Sequence, residues 1–116
     1  MTIALVLFAV AAVGGAYMAS VRFRGADRPP LAIALVHGAA AAAGLIALIA
    51  SVAGASAPPG LSKVALGVFV VAAAGGFVLF ATHLQNRPLP KAVIVVHGLV
   101  AVIGFVLLLV AVTGAA

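Results

Sequence analysis

Four apolar runs, each about as long as a bilayer is thick, leave this chain few choices. They cover roughly residues 2–21, 30–53, 64–82 and 92–113. A helix needs ~20 apolar residues to cross the hydrocarbon core. Lipid satisfies no free backbone N–H or C=O, so such runs must be helical. Short breaks between them predict an all-α membrane protein, a four-transmembrane-helix up-down-up-down bundle. Charged residues make up 6% of the chain, against about a quarter in soluble domains. No polar stretch is long enough for a soluble unit, so residues 1–116 read as a single transmembrane domain. The first run reads as a span and not as a signal peptide, because its first cation, Arg22, comes after the apolar stretch.

Cations set the expected orientation. Arg22, Arg24, Arg28, Arg87 and Lys91 lie in or beside the first and third breaks, and only Lys63 lies at the other end. The positive-inside rule then places the basic loops in the cytoplasm and both termini outside, in a bacterial-type inner (cell) membrane. The net charge of +5 is a topology signal with anionic headgroups as its partners, and no nucleic-acid partner is expected. The chain has no cysteine, which removes disulfides, thiolate metal sites, iron–sulfur clusters and covalent c-type haem attachment.

The chain is also written twice. Shifted by 60, residues 30–54 fall on 90–114 with 10 of 25 identical; shifted by 61, residues 4–20 fall on 65–81 with 8 of 17 identical. Repeat one spans 1–56 and repeat two 61–116. Two spans per unit make these parallel helical-hairpin repeats, related by an axis along the membrane normal. The shared residues are not scattered. Pro30, His37, Ala41, Gly44, Leu48 and Val52 trace one helical stripe, as do Ala4, Phe8, Ala11 and Gly15. These stripes are the expected bundle interior. Their small residues admit close helix packing, or make room for a flat ligand.

Two histidines lie on the duplicated stripe. His37 follows Pro30 by seven residues and His97 follows Pro90 by seven, so both lie ~10 Å inside their helices at one depth. Gly14 and Gly15, and Gly75 and Gly76, fall in the same layer, beside Gly38 and Gly98. Intramembrane histidines are costly and face the interior. Two facing imidazoles, glycine walls and cations one layer outward suit one haem b per chain. His37 and His97 would be its iron ligands. Gly14, Gly15, Gly38, Gly44, Gly75, Gly76, Gly98 and Gly104 would make room for the porphyrin, and Arg22, Arg28, Arg87 or Lys91 would reach its propionates. His83, where repeat one has Arg22, reads as interfacial, with contact to a haem propionate as the lesser alternative.

This layer resembles the membrane-embedded bis-histidine b-type cytochromes, the cytochrome b561-like arrangement. The resemblance covers His37, Gly38, His97 and Gly98 with Gly14, Gly15, Gly75 and Gly76. It implies electron transfer, with a quinone or another redox protein as partner. Members carry two histidines on each ligating helix and hold two haems; one histidine on each helix here implies one haem. A haem shared between two copies, His37 of one facing His97 of the other, stays open, as does a homo-oligomer.

Other readings stand beside this one. Length and span number resemble the small multidrug-resistance transporters, but the only acid, Asp27, lies in a loop, so coupling would fall to the histidines. Two histidines form a thin set for zinc or copper. A structural membrane subunit with interhelical histidines and no cofactor is the serious rival. Nothing in the sequence resembles a catalytic triad or a nucleotide loop.

Overall fold

Prolines set where three of the helices begin. In the computed structural model, which describes residues 1–114, α2 (Leu31–Gly54), α3 (Gly60–Leu84) and α4 (Lys91–Thr113) each start directly after one, Pro30, Pro59 and Pro90. Each of these prolines holds an extended ψ and has no N–H to leave unpaired at the helix start. Helix α1 covers Thr2–Phe23. The last two residues of the second repeat, 115 and 116, lie outside the described residues. Helix α3 begins four residues before its apolar run because its first turn carries Ser62 and Lys63. The Ser62 hydroxyl donates to the Pro59 carbonyl at 2.6 Å within that turn, so the polar start is satisfied locally.

All four helices are long and apolar enough to cross a membrane. Their outward residues, such as Ile3, Val13, Ile46, Phe77 and Leu99, are large, apolar and exposed, a surface that lipid solvates and water does not. The molecule is 46 Å long, close to the ~40–45 Å of a bilayer with its headgroup layers. The chain is a four-helix bundle in which α1 packs most closely on α2, and α3 on α4. Contacts of α1 with α4 and α2 with α3 close the ring.

The duplication recurs in the packing. Ala4, Phe8 and Ala11 are buried in α1, and their counterparts Ala65, Phe69 and Ala72 in α3. Gly44 and Leu48 are buried in α2, and Gly104 and Leu108 in α4. Even the turns correspond: Gly25 takes φ +117° and its counterpart Asn86 takes φ +57°, both in the left-handed region where Gly and Asn are tolerated.

Two contacts clamp the hairpins together, one at each end of a gap. Toward the end that carries the chain termini the Phe8 and Phe69 rings stack with centroids 3.8 Å apart and planes 6° from parallel. Each ring lies against a glycine of its own hairpin, Gly44 beneath Phe8 and Gly104 beneath Phe69. At the basic end the Arg22 Nε donates to the Leu89 carbonyl at 2.9 Å, and the Leu89 N–H donates to the Asp27 carbonyl at 3.0 Å. Phe69→Ala should therefore open the aromatic clamp. The expected cost is about 2 kcal/mol, mostly lost dispersion and a cavity, since lipid supplies little hydrophobic drive. A lowered unfolding midpoint in detergent, with helix content unchanged, is the result to look for.

Candidate functional site

Between the clamps the facing positions are small: Ala11, Ala12 and Gly15 on α1, and Ala72, Ala73 and Gly76 on α3. They leave a cavity of about 960 Å³ that all four helices line. That volume is at the upper end of the ~300–1,000 Å³ typical of ligand pockets. Its floor is the Phe8–Phe69 stack, and its upper wall includes Phe23, Pro29 and Leu89. Nearly all of the lining is apolar. The ionisable side chains on it are three histidines, His37, His97 and His83.

His37 and His97 are held identically. The His37 Nδ1 donates to the Ala11 carbonyl at 2.7 Å, and the His97 Nδ1 donates to the Ala72 carbonyl at 2.8 Å. A carbonyl oxygen only accepts, so Nδ1 carries the proton in both rings. In the neutral ring Nε2 then keeps its lone pair. A hydrogen bond from Nδ1 to a carbonyl is also the usual way a metal-ligating histidine is oriented.

The glycine pairs explain how a ring reaches a carbonyl already used by the helix. Side chains on a helix lean toward its N-terminus and cover the preceding turn. The residues that would cover the Ala11 carbonyl are Gly14 and Gly15; those over Ala72 are Gly75 and Gly76. With no side chain there, the second lone pair of each carbonyl is open to the imidazole. The fit is close. A Cβ on Gly15 would stand 3.0 Å from His37 Cε1, and one on Gly76 would stand 3.1 Å from His97 Cε1. Gly14 and Gly75 face the Cβ atoms of the same histidines at 3.5 Å.

Across the cavity the two rings face each other, with centroids 6.3 Å apart and planes at 77°. With a metal–nitrogen bond of about 2.0–2.1 Å and ~1.1 Å more to the ring centre, two imidazoles on opposite sides of one metal ion have centroids roughly 6 Å apart. The separation fits that arrangement within one chain. Among the described residues no group of three or more His, Cys, Asp or Glu gathers anywhere. At the centre of the cavity the protein offers an ion two nitrogen donors, with Met18 and His83 elsewhere on the lining.

The other residues singled out from the sequence divide into groups. Gly38 and Gly98 line the cavity, and a Cβ on either would meet no protein atom within 4 Å. Gly15 and Gly76 also line it, but as supports for the histidine rings. Gly14 and Gly75 lie behind those rings. Gly44 and Gly104 seat the phenylalanine stack. None of the four cations lines the cavity. Arg22 is bonded to Leu89, Arg28 Nη1 donates to Asn86 Oδ1 at 2.6 Å, Arg87 Nη1 donates to Gln85 Oε1 at 3.5 Å, and Lys91 Nζ is 5.7 Å from the Phe23 ring centre. At the basic end it is His83 that lines the cavity. It is buried, although its position at a helix end marks it as interfacial.

The Ala11 and Ala72 carbonyls and the alanine lining carry no signature in side-chain chemistry. The signal that does find the carbonyls is positional: each stands three and four residues before a Gly-Gly pair. Comparison with known protein families, with curated proteins and with solved structures finds no match for this chain.

Proposed function

We propose that this chain is a membrane b-type cytochrome that holds one haem b between His37 and His97 and serves electron transfer. One observation carries the reading: two imidazoles, each fixed through Nδ1 to a backbone carbonyl, face each other 6.3 Å apart across an apolar cavity. Two donors are too few for a bare zinc ion and a thin set for copper. They suit an iron that arrives with four porphyrin nitrogens and needs only its two axial positions filled.

The haem would supply a one-electron ferric/ferrous couple. The residues of the chain do the rest. His37 and His97 would both hold the iron and leave no open position on it, which would disfavour oxygen binding and favour electron transfer. The Ala11 and Ala72 carbonyls orient the rings and raise their basicity. Gly38 and Gly98 leave room on the cavity wall, and the apolar lining keeps water away. A quinone or another redox protein remains the expected partner class.

The orientation belongs to the same reading, with the basic loops cytoplasmic and both termini outside. Because the chain has no cysteine, single labels are clean. In intact bacterial cells an impermeant maleimide should modify Ala57→Cys in the second loop and spare Ala26→Cys in the first until lysis. The reverse pattern would overturn the orientation.

The structural reading has support of its own, since the same Nδ1 bonds tie α2 to α1 and α4 to α3. An absorption spectrum of detergent-purified protein, oxidised and then reduced with dithionite, separates the two. A sharp six-coordinate b-type spectrum is expected. Colourless protein from haem-replete cells would leave the histidines as packing residues.

A further inference from the structure

The third histidine of the cavity has no role in iron ligation. His83 is 7% exposed, and among the described residues its ring makes no hydrogen bond. It lines the cavity, and it has no nitrogen that is both sealed from solvent-sized access and without a partner. Its ring is thus buried in the protein yet reachable from the cavity. Its nitrogens make no hydrogen bond among the described residues and are not sealed off, so a ligand at this end of the cavity can meet them.

Its place says what that is. His83 lies seven residues beyond Gly76, whose site abuts the His97 ring, so it is ~10 Å further toward the basic end. It occupies in repeat two the position of Arg22 in repeat one. Around it the end of the bundle is basic. Arg22 is bonded to the carbonyl of Leu89, which also lines the cavity, and Arg28 is bonded to Asn86, whose N–H donates to the His83 carbonyl at 3.0 Å. The hydrogen bonds of Arg22, Arg24, Arg28 and Arg87 all go to neutral oxygens, and with Asp27 as the one acid in these loops this end of the bundle keeps a net positive charge. A hydrogen-bond donor at the inner edge of a net positive rim suits a carboxylate.

We propose that His83 binds a carboxylate at the basic end of the cavity, and that this carboxylate is a propionate of the bound haem. The inference rests on the haem reading. It fixes which edge of the macrocycle faces the basic loops, and it makes His83 a positioning residue.

The test uses haem-free full-length protein in detergent, titrated with haem and with haem dimethyl ester, whose propionates carry no charge. His83→Ala should weaken haem binding about tenfold and leave binding of the ester unchanged. His83→Gln, which restores a donor, should recover most of the loss. An equal loss with both pigments would make His83 a packing residue, and no loss with either would remove it from the site; each overturns the proposal. A His83-dependent spectral response of the ester-loaded protein to laurate would assign the carboxylate to a free amphiphile and overturn the propionate assignment. If the wild-type chain binds neither pigment, the haem reading itself fails and this inference falls with it.

Discussion

Replacing either His37 or His97 by alanine should remove the six-coordinate b-type spectrum expected of the proposed cytochrome, and the two single variants should behave alike. The equivalence follows from the geometry, because each ring has the same carbonyl tether, the same glycine seat and the same distance to the other. Changing residues that merely orient a ligand commonly costs 10–100-fold in affinity, so losing the ligand itself should cost at least about 100-fold. Stability should respond far less. Each histidine contributes one interhelical hydrogen bond, of the order of 0.6–1 kcal/mol in a membrane bundle. His37→Gln sharpens the contrast. Its amide can still donate toward the Ala11 carbonyl, but it has no ring nitrogen for iron. The expected outcome is a protein that inserts and melts like the parent and carries no six-coordinate haem. Pigment content and unfolding midpoint, measured on the same preparations, check both parts. Full pigment in the His37→Ala, His97→Ala double variant would sink the cytochrome reading.

The fold was legible because lipid imposes few alternatives. Twenty-residue apolar runs must be helices, and the repeat marked which faces turn inward. Among the positions shared by the two copies, Ala4, Phe8, Ala11, Gly44 and Leu48 with their counterparts are buried, whereas Val10 and Val36 with theirs face outward. Outward positions exchange freely among Ala, Val, Leu, Ile and Phe, since any of them suits lipid. The histidine layer was legible for the same reason.

What was not legible is what each glycine faces. A Gly-Gly pair reads equally as space for a porphyrin and as space for an imidazole, and the choice depends on which neighbouring helix supplies the nearest atom. The acceptors are main-chain carbonyls, which have no sequence identity. The cations showed which end of the bundle is basic but not where their long side chains go. His83 sits at a helix end, which suggests the headgroup region. Its burial comes from tertiary packing at the basic end, which has no local sequence pattern.

The glycine seats yield a prediction of unusual sign. Gly15→Ala should lower cofactor affinity while leaving the apoprotein as stable as before or more so. Alanine has the higher helix propensity, by about 1 kcal/mol in a helix interior. Yet its methyl group would lie 3.0 Å from His37 Cε1, so the ring must give by a few tenths of an ångström. The ring cannot give freely, because its Nδ1 is held 2.7 Å from the Ala11 carbonyl, and in the proposed site its Nε2 would have to keep its place as the iron ligand. An affinity loss of about tenfold, ~1.4 kcal/mol, is the expected scale. Gly76→Ala should repeat it through His97, whose Cε1 lies 3.1 Å from the added methyl. Valine at either position would also cover the carbonyl, displace the ring and abolish binding. Two comparisons separate seat from space. Gly67→Ala meets nothing within 4 Å and lies outside the cavity lining, so it should be silent. Gly38→Ala also meets no protein atom but does line the cavity, so any pigment loss there reports on volume the macrocycle itself occupies. Haem titrations and apoprotein melting on these variants decide the point: equal silence of Gly15→Ala and Gly67→Ala would mean that the histidine rings need no fixed seat, and the tethered-imidazole site would have to be abandoned.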